Sequence, residues 1–110
     1  MKPYYKEEDL PKFGKIREFQ PELGDKFFEY YNSVFKDGAL TEREKSLIAL
    51  AVAHAVHCPY CIDAYTTTSL EKGADEEQMM EAVHVASAIK SGAVLVHGVQ
   101  MMNKVNEVSM

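Results

Sequence analysis

From Pro21 onward the chain repeats apolar residues at helical spacing. Leu23, Phe27, Tyr30, Tyr31 and Val34 recur at three- and four-residue steps, which predicts an amphipathic helix. Pro21 suits its first position, and Asp37-Gly38 marks its end. Thr41 followed by Glu44 is capping-box spacing and opens a second helix. Its run Leu47–Val56 is apolar on every side apart from His54. A helix of that kind is expected to be buried all round, in a core or between subunits. Pro59 interrupts, and a third helix is predicted from Pro59 to Lys72 with Gly73 as its stop. Asp75 with Gln78 caps a fourth helix carrying Met79, Met80, Val83, Ala86 and Ala88, predicted to end near Ser91-Gly92. A fifth runs from Ala93 through Val99 and Met102 towards Val105. Before Pro21, the residues Pro3, Pro11 and Gly14 predict an arm (1–20) with at most short helical turns, resting on its own domain or on a neighbouring subunit. The helical domain then occupies 21–110. Five to six helices joined by short turns make an all-α bundle.

The 110 residues suit one domain and leave no room for two independent cores. Twelve basic against seventeen acidic side chains give a net charge of −5. That balance argues against nucleic acid or an anionic membrane surface as the main partner. The N-terminal stretch Met1–Asp9 is polar and has no signal-peptide character, and the apolar run Leu47–Val56 is too short to span a bilayer. A cytoplasmic location is expected. So small a domain struggles to cover a helix that is apolar on all faces, so association with further copies is expected, as a dimer, trimer or hexamer.

The chemistry concentrates at Cys58 and Cys61, the chain's two cysteines, in Cys58-Pro59-Tyr60-Cys61. A disulfide between them would close too small a loop to stabilise the fold much. At the start of the third helix the free backbone N–H groups and the positive dipole end favour an anionic sulfur at Cys58. Cys61, one turn further in, is within reach to close a disulfide. One activated and one resolving thiol are what peroxide or disulfide reduction requires. Inert buried cysteines are the plainer reading. A zinc half-site completed by His54 and His57 is a further one, although a structural site wants four ligands.

His54 lies one turn before Cys58 and is either a core histidine bonded to a backbone carbonyl or a proton-transfer partner for a thiol. Tyr65 stands one turn beyond Cys61, where its hydroxyl could reach a sulfur or a peroxide oxygen. His84 follows Glu81 by three residues, so the carboxylate could hold its ring in one tautomer and make it a second acid/base candidate. His57 reads as a surface loop residue and His97 as helix packing. Asp63 and Glu44 read as helix-face charges or caps, and Met79-Met80 and Met101-Met102 as apolar filling.

The stretch LIALAVAHAVHCPYCIDAYTTTSLEKG (47–73), followed by Glu81-Ala82-Val83 and Gly92-Ala93, resembles the carboxymuconolactone decarboxylase superfamily in its AhpD-like (alkylhydroperoxidase) branch. The likeness spans Leu40 to Gly98. FFEYYNSVF (27–35) and HCPYCIDAYT (57–66) further resemble the arsenosugar biosynthesis-associated peroxidase-like subgroup. The resemblance implies an AhpD-like helical bundle, obligate homo-oligomers, and peroxidase or disulfide-reductase chemistry at the two cysteines. In that branch the second cysteine usually meets the peroxide, whereas the helix-start argument favours the first, so the order of attack stays open. The branch also has a proton-relay histidine four residues after the second cysteine and a glutamate directly before the apolar run. This chain has Tyr65 and Ser46 there.

The expected function is therefore a thiol-dependent peroxidase or disulfide oxidoreductase cycling Cys58–Cys61. It would act on a hydroperoxide or a disulfide, draw on an external thiol reductant, and use no bound cofactor or metal. His54, Tyr65 and His84 are candidate acid/base groups. Two other readings compete. One is a lyase like the enzyme that names the superfamily, whose branch lacks CxxC. The other is a non-catalytic, redox-sensing accessory protein of the same fold.

Overall fold

The computed structural model describes residues 3–110, so Met1 and Lys2 of the expected arm lie outside the described residues. The arm coils over Glu7–Glu18, and five helices follow: α1 (Pro21–Val34), α2 (Glu42–Ala55), α3 (Pro59–Glu71), α4 (Glu76–Val96) and α5 (Gly98–Ser109). The fold is all-α, with no strand among the described residues.

The expected caps form. Thr41 Oγ1 accepts the Glu44 N–H at 3.1 Å while Glu44 Oε1 accepts the Thr41 N–H at 2.8 Å, so two unpaired donors at the start of α2 are satisfied reciprocally. Asp75 and Gln78 do the same for α4, at 2.8 and 3.0 Å. α3 ends in a Schellman turn: the Ala74 N–H bonds the Ser69 carbonyl and the Gly73 N–H the Leu70 carbonyl, with Gly73 at φ 92°. That left-handed position costs glycine nothing and any other residue about 1 kcal/mol or more.

α2, α3 and α4 enclose a small core of Leu50, Tyr65, Ala74 and Met79, against which Tyr31 and Phe35 pack. In α2 only one side of the apolar run is buried, chiefly through Leu50 and Ala53. Ile48, Val52 and Val56, spaced by four, are 51, 53 and 63 % exposed. Of the two expected covers, a core or a neighbouring subunit, the chain's own core thus supplies one side only. α3 and α4 pack on one side of it, and the side bearing Ile48, Val52 and Val56 is left open.

The arm is also more ordered than its prolines and glycine suggest, forming a 12-residue 3-10 helix in place of short turns. With three residues per turn, side chains three apart eclipse. Lys12 meets Asp9 at 3.0 Å, and Leu10, Phe13 and Ile16 fall on one face. Phe13 sets its ring edge-on to Phe28, with 4.9 Å between centroids, and to Phe27 and Tyr31 of α1. At Gly24 the two backbones leave no room for a side chain. A Cβ there would lie 2.3 Å from Arg17 Cβ and 2.6 Å from Arg17 Cα. Gly24→Ala is therefore expected to push the arm off α1. Proteolysis should cut the arm at least tenfold faster than in the wild type, and equal cutting rates would show that the contact does not hold it.

α4 continues through Ser91-Gly92, where the sequence predicts a stop. A glycine inside a helix costs about 1 kcal/mol relative to alanine but leaves the backbone bonds intact. The interruption comes at His97, which keeps right-handed backbone angles (φ −69°, ψ −13°), so α5 follows α4. Together Glu76–Ser109 spans 34 residues and contains an 18-residue stretch long and apolar enough to cross a membrane, unlike Leu47–Val56. Beyond its first turns this segment leaves the body of the molecule. Val85, Ile89, Val94, Leu95 and Val96 are all exposed, Leu95 by 76 %. The radius of gyration is 19.0 Å, against roughly 13 Å for a compact chain of this length.

Candidate active site

Cys58 is fixed by two helix ends at once. α2 finishes in its own Schellman turn, with the Cys58 N–H on the Ala53 carbonyl (3.0 Å) and the His57 N–H on the His54 carbonyl (3.3 Å). His57 takes the left-handed position, φ 58°, that glycine usually fills. Lys90 of α4 reaches back to this turn, donating to the Ala55 carbonyl at 2.9 Å and lying 3.3 Å from His57 Nε2. A cation here also suits the negative end of the α2 dipole.

The next helix starts on the same residue. Cys58 is the N-cap of α3, Pro59 occupies the first turn, and Cys58 Sγ accepts the Cys61 N–H at 3.2 Å. Both cysteines are free and half-buried. Burial, followed by its hydrogen bond with Cys58 and the Cys58 charge, pushes the Cys61 thiol up to about 11. A thiol raised in this way stays protonated at neutral pH, and its reactive thiolate fraction grows about tenfold per pH unit until that value is reached. With iodoacetamide at pH 8, one thiol per chain is expected to react rapidly, at Cys58, and Cys61 only as the pH approaches about 11. Two equally fast thiols at pH 8, read by peptide mass, would overturn this assignment.

The two sulfurs open onto a cavity of about 460 Å³. Leu10, Phe13 and Ile16 of the arm form one wall, with Asp9 and Lys12 at its edge. Tyr31 of α1 and Tyr60, Ala64 and Tyr65 of α3 form the other. The arm is also tied down ahead of its coil. Tyr5 Oη donates to Asp63 Oδ2 at 2.8 Å, and its ring meets Tyr60 edge-on at 4.7 Å. That bond to a carboxylate, with a lesser contribution from burial, pushes the Tyr5 phenol up to about 12.

Of the acid/base candidates, Tyr65 lies on the cavity wall. It is buried, stacked on Phe35 (centroids 5.1 Å, 19° between planes), and its hydroxyl is hydrogen-bonded to that of Tyr31. His54 is not on that wall: its Nδ1 is 2.8 Å from the Leu50 carbonyl, one turn back in its own helix. His84 is exposed on α4, and no hydrogen bond or ion pair joins it to Glu81. Ser46 is buried and gives its hydroxyl to the Glu42 carbonyl at 2.8 Å. Among the described residues, no three His, Cys, Asp or Glu side chains gather as a metal site, so His54 and His57 do not join the cysteines as zinc ligands.

Sequence reasoning missed three contributors: Tyr31, Tyr5 and the arm face. The three-residue spacing Leu10-Phe13-Ile16 was a signal for the last of these.

These features define a helical protein with a CxxC pair at the head of an inner helix, beside an apolar cavity. Residues 21–104 match the sequence profile of the Carboxymuconolactone decarboxylase family, and the chain belongs to that family. A Paracoccus denitrificans protein known as uncharacterized protein 4 in the cox locus is 40 % identical over 86 residues, which cover 78 % of each chain. A crystal structure from Methanobacterium thermoautotrophicum superposes with a TM-score of 0.74 at 34 % identity, covering 78 % of this chain and 97 % of that one. A carboxymuconolactone decarboxylase family protein from Legionella pneumophila, solved in its apo form, gives 0.69 at 30 % identity over 94 % of both chains. A Thermotoga maritima family member, named for a suspected part in the antioxidative response, shares the fold at a TM-score of 0.60 and 23 % identity, over 88 % of this chain and 89 % of its own.

Proposed function

We propose that this protein is a thiol-dependent peroxidase or disulfide oxidoreductase of the AhpD-like kind, cycling Cys58 and Cys61 between dithiol and disulfide. The reading rests on one observation: Cys58 Sγ sits at a helix N-cap, accepts the Cys61 N–H, and faces an apolar cavity. As a thiolate, Cys58 attacks the outer oxygen of a hydroperoxide. The O–O bond breaks, Cys58 becomes a sulfenic acid, and the alkoxide leaves to be protonated to the alcohol. Cys61 then attacks the sulfenic sulfur, which loses water as the disulfide closes. An external dithiol returns the two electrons and restores both thiols. The raised thiol of Cys61 keeps its proton while Cys58 reacts, and gives it up as it attacks the sulfenic sulfur, the proton leaving with the sulfenic hydroxyl as water.

The test is hydroperoxide consumption by reduced protein in the presence of a dithiol, with free thiols counted before and after oxidation. The two free thiols should fall to none per chain, with many turnovers per protein. If both thiols survive excess hydroperoxide and none is consumed, the reading is wrong. Ser46 and Tyr65, which stand where the resemblance places relay residues, favour one rival, a redox sensor. A sensor would form the disulfide once without sustained turnover.

We also propose that further copies of this chain cover the exposed apolar helix. Val94, Leu95 and Val96 are consecutive and all exposed, so they spread apolar surface over well more than one face of α4, which needs cover from more than one direction. An identical chain offers the same apolar surface in return. Lipid is a poorer match, because Lys90 lies within this segment and is engaged with the end of α2.

A further inference from the structure

The Tyr31–Tyr65 contact has a second cleft behind it. Both rings line the cysteine cavity, and both also line a separate cleft of about 240 Å³ that contains Glu42, Ser46, Thr68 and Lys72. The cleft is polar where the cavity is apolar. Its Glu42–Lys72 ion pair is partly exposed, which gives the cleft access to water. The only hydroxyls on the shared wall are those of Tyr31 and Tyr65, and they are hydrogen-bonded to each other. Phe35 stacks on Tyr65 and lies 5.2 Å from Tyr31, fixing both rings.

We propose that these two hydroxyls form the proton-delivery path of the cysteine cycle. Tyr65 protonates the alkoxide released at Cys58, and Tyr31 returns a proton to Tyr65 from the polar cleft. The inference rests on the peroxidase reading above. The step balances: O–O cleavage leaves one alkoxide and one sulfenic acid, Tyr65 Oη–H supplies the alkoxide's proton, and the Tyr31 hydroxyl and then water replace it. Tyr65 acts as the acid and not as a base. Burial, with the Tyr31 bond and the nearby Cys61 adding to it, holds its phenol far above the ordinary value, so it carries its proton at neutral pH. Tyr31 acts through Tyr65 and is a positioning and proton-supplying residue, which nothing in the sequence marked out.

The variants Tyr31→Phe and Tyr65→Phe remove one oxygen each and keep both rings in place. The readout is the rate of thiol loss from reduced protein in a single turnover, with two oxidants. Cumene hydroperoxide expels a strongly basic alkoxide that needs a proton, whereas peracetic acid expels a carboxylate that needs none. With cumene hydroperoxide, Tyr65→Phe should slow oxidation about 100-fold and Tyr31→Phe about tenfold, within the range for general acids. The double variant should be no slower than Tyr65→Phe alone. With peracetic acid, and in Cys58 alkylation by iodoacetamide, all variants should match the wild type. Equal losses with both oxidants would reduce the pair to a structural role, and wild-type rates with cumene hydroperoxide would remove it from the cycle. In both cases the peroxidase reading survives if the wild type turns over. A wild type that neither oxidant oxidises overturns reading and inference together.

Discussion

Cys58→Ser is expected to abolish hydroperoxide turnover, by about 10³-fold or more, while leaving the fold as stable as before. The usual ambiguity of such a variant is absent here because serine ranks among the best N-cap residues. Its oxygen can accept the same Cys61 N–H that Cys58 Sγ accepts at 3.2 Å. Loss of activity with an unchanged Tm therefore isolates the sulfur's chemistry from its structural role. Cys61→Ser should behave differently. With no dithiol present, one equivalent of hydroperoxide is consumed in a burst and Cys58 accumulates as sulfenic acid, where the wild type closes its disulfide. Residual steady turnover in Cys58→Ser, measured by hydroperoxide consumption with dithiol present, would transfer the chemistry to other groups.

Leu95→Glu is expected to dissociate the protein into single chains. Leu95 is the most exposed residue of the Val94-Leu95-Val96 run. Burying a leucine side chain against another copy is worth about 1.5–3 kcal/mol, and placing a carboxylate there adds a desolvation penalty of several kcal/mol. Each copy in an oligomer carries the change, so association should weaken by at least a factor of about 100. Light scattering should find the wild type at an integer multiple of 12.4 kDa and the variant at one. A wild type already at one chain mass would refute the proposed association, and vesicle binding by that single chain would assign the helix to lipid.

Much of the fold was legible because helix boundaries are written in local chemistry. Thr41 with Glu44, Asp75 with Gln78, Pro59, and Gly73 each satisfy or remove backbone groups within a few residues of themselves, and each marks an end where the structure has one. Gly92 misled because propensity is a small term and α4 outweighs it. His57 was unreadable as a helix stop, since the left-handed position is normally announced by glycine. The cysteines were legible by spacing alone, and Tyr65 by its one-turn distance from Cys61. Tyr31 was not: it comes from another helix, 34 residues away in sequence, and only tertiary packing brings the two hydroxyls together. The uncovered face of α2 was foreseen as one that a core or a further copy must cover, whereas that of α4 escaped, since a pattern of apolar residues shows that a surface needs cover but not whether the same chain supplies it.

The double duty of Cys58 bears on redox poise. The cap bond from the Cys61 N–H suits a reduced sulfur, above all an anionic one, whereas a disulfide sulfur is a weaker acceptor. Whatever the cap contributes to α3 thus belongs more to the dithiol than to the disulfide. Stabilising the reduced partner of a couple raises its reduction potential. The first turn of α3 should therefore make Cys58–Cys61 a more oxidising pair than the same two residues in an unstructured peptide, one that its reductant readily restores.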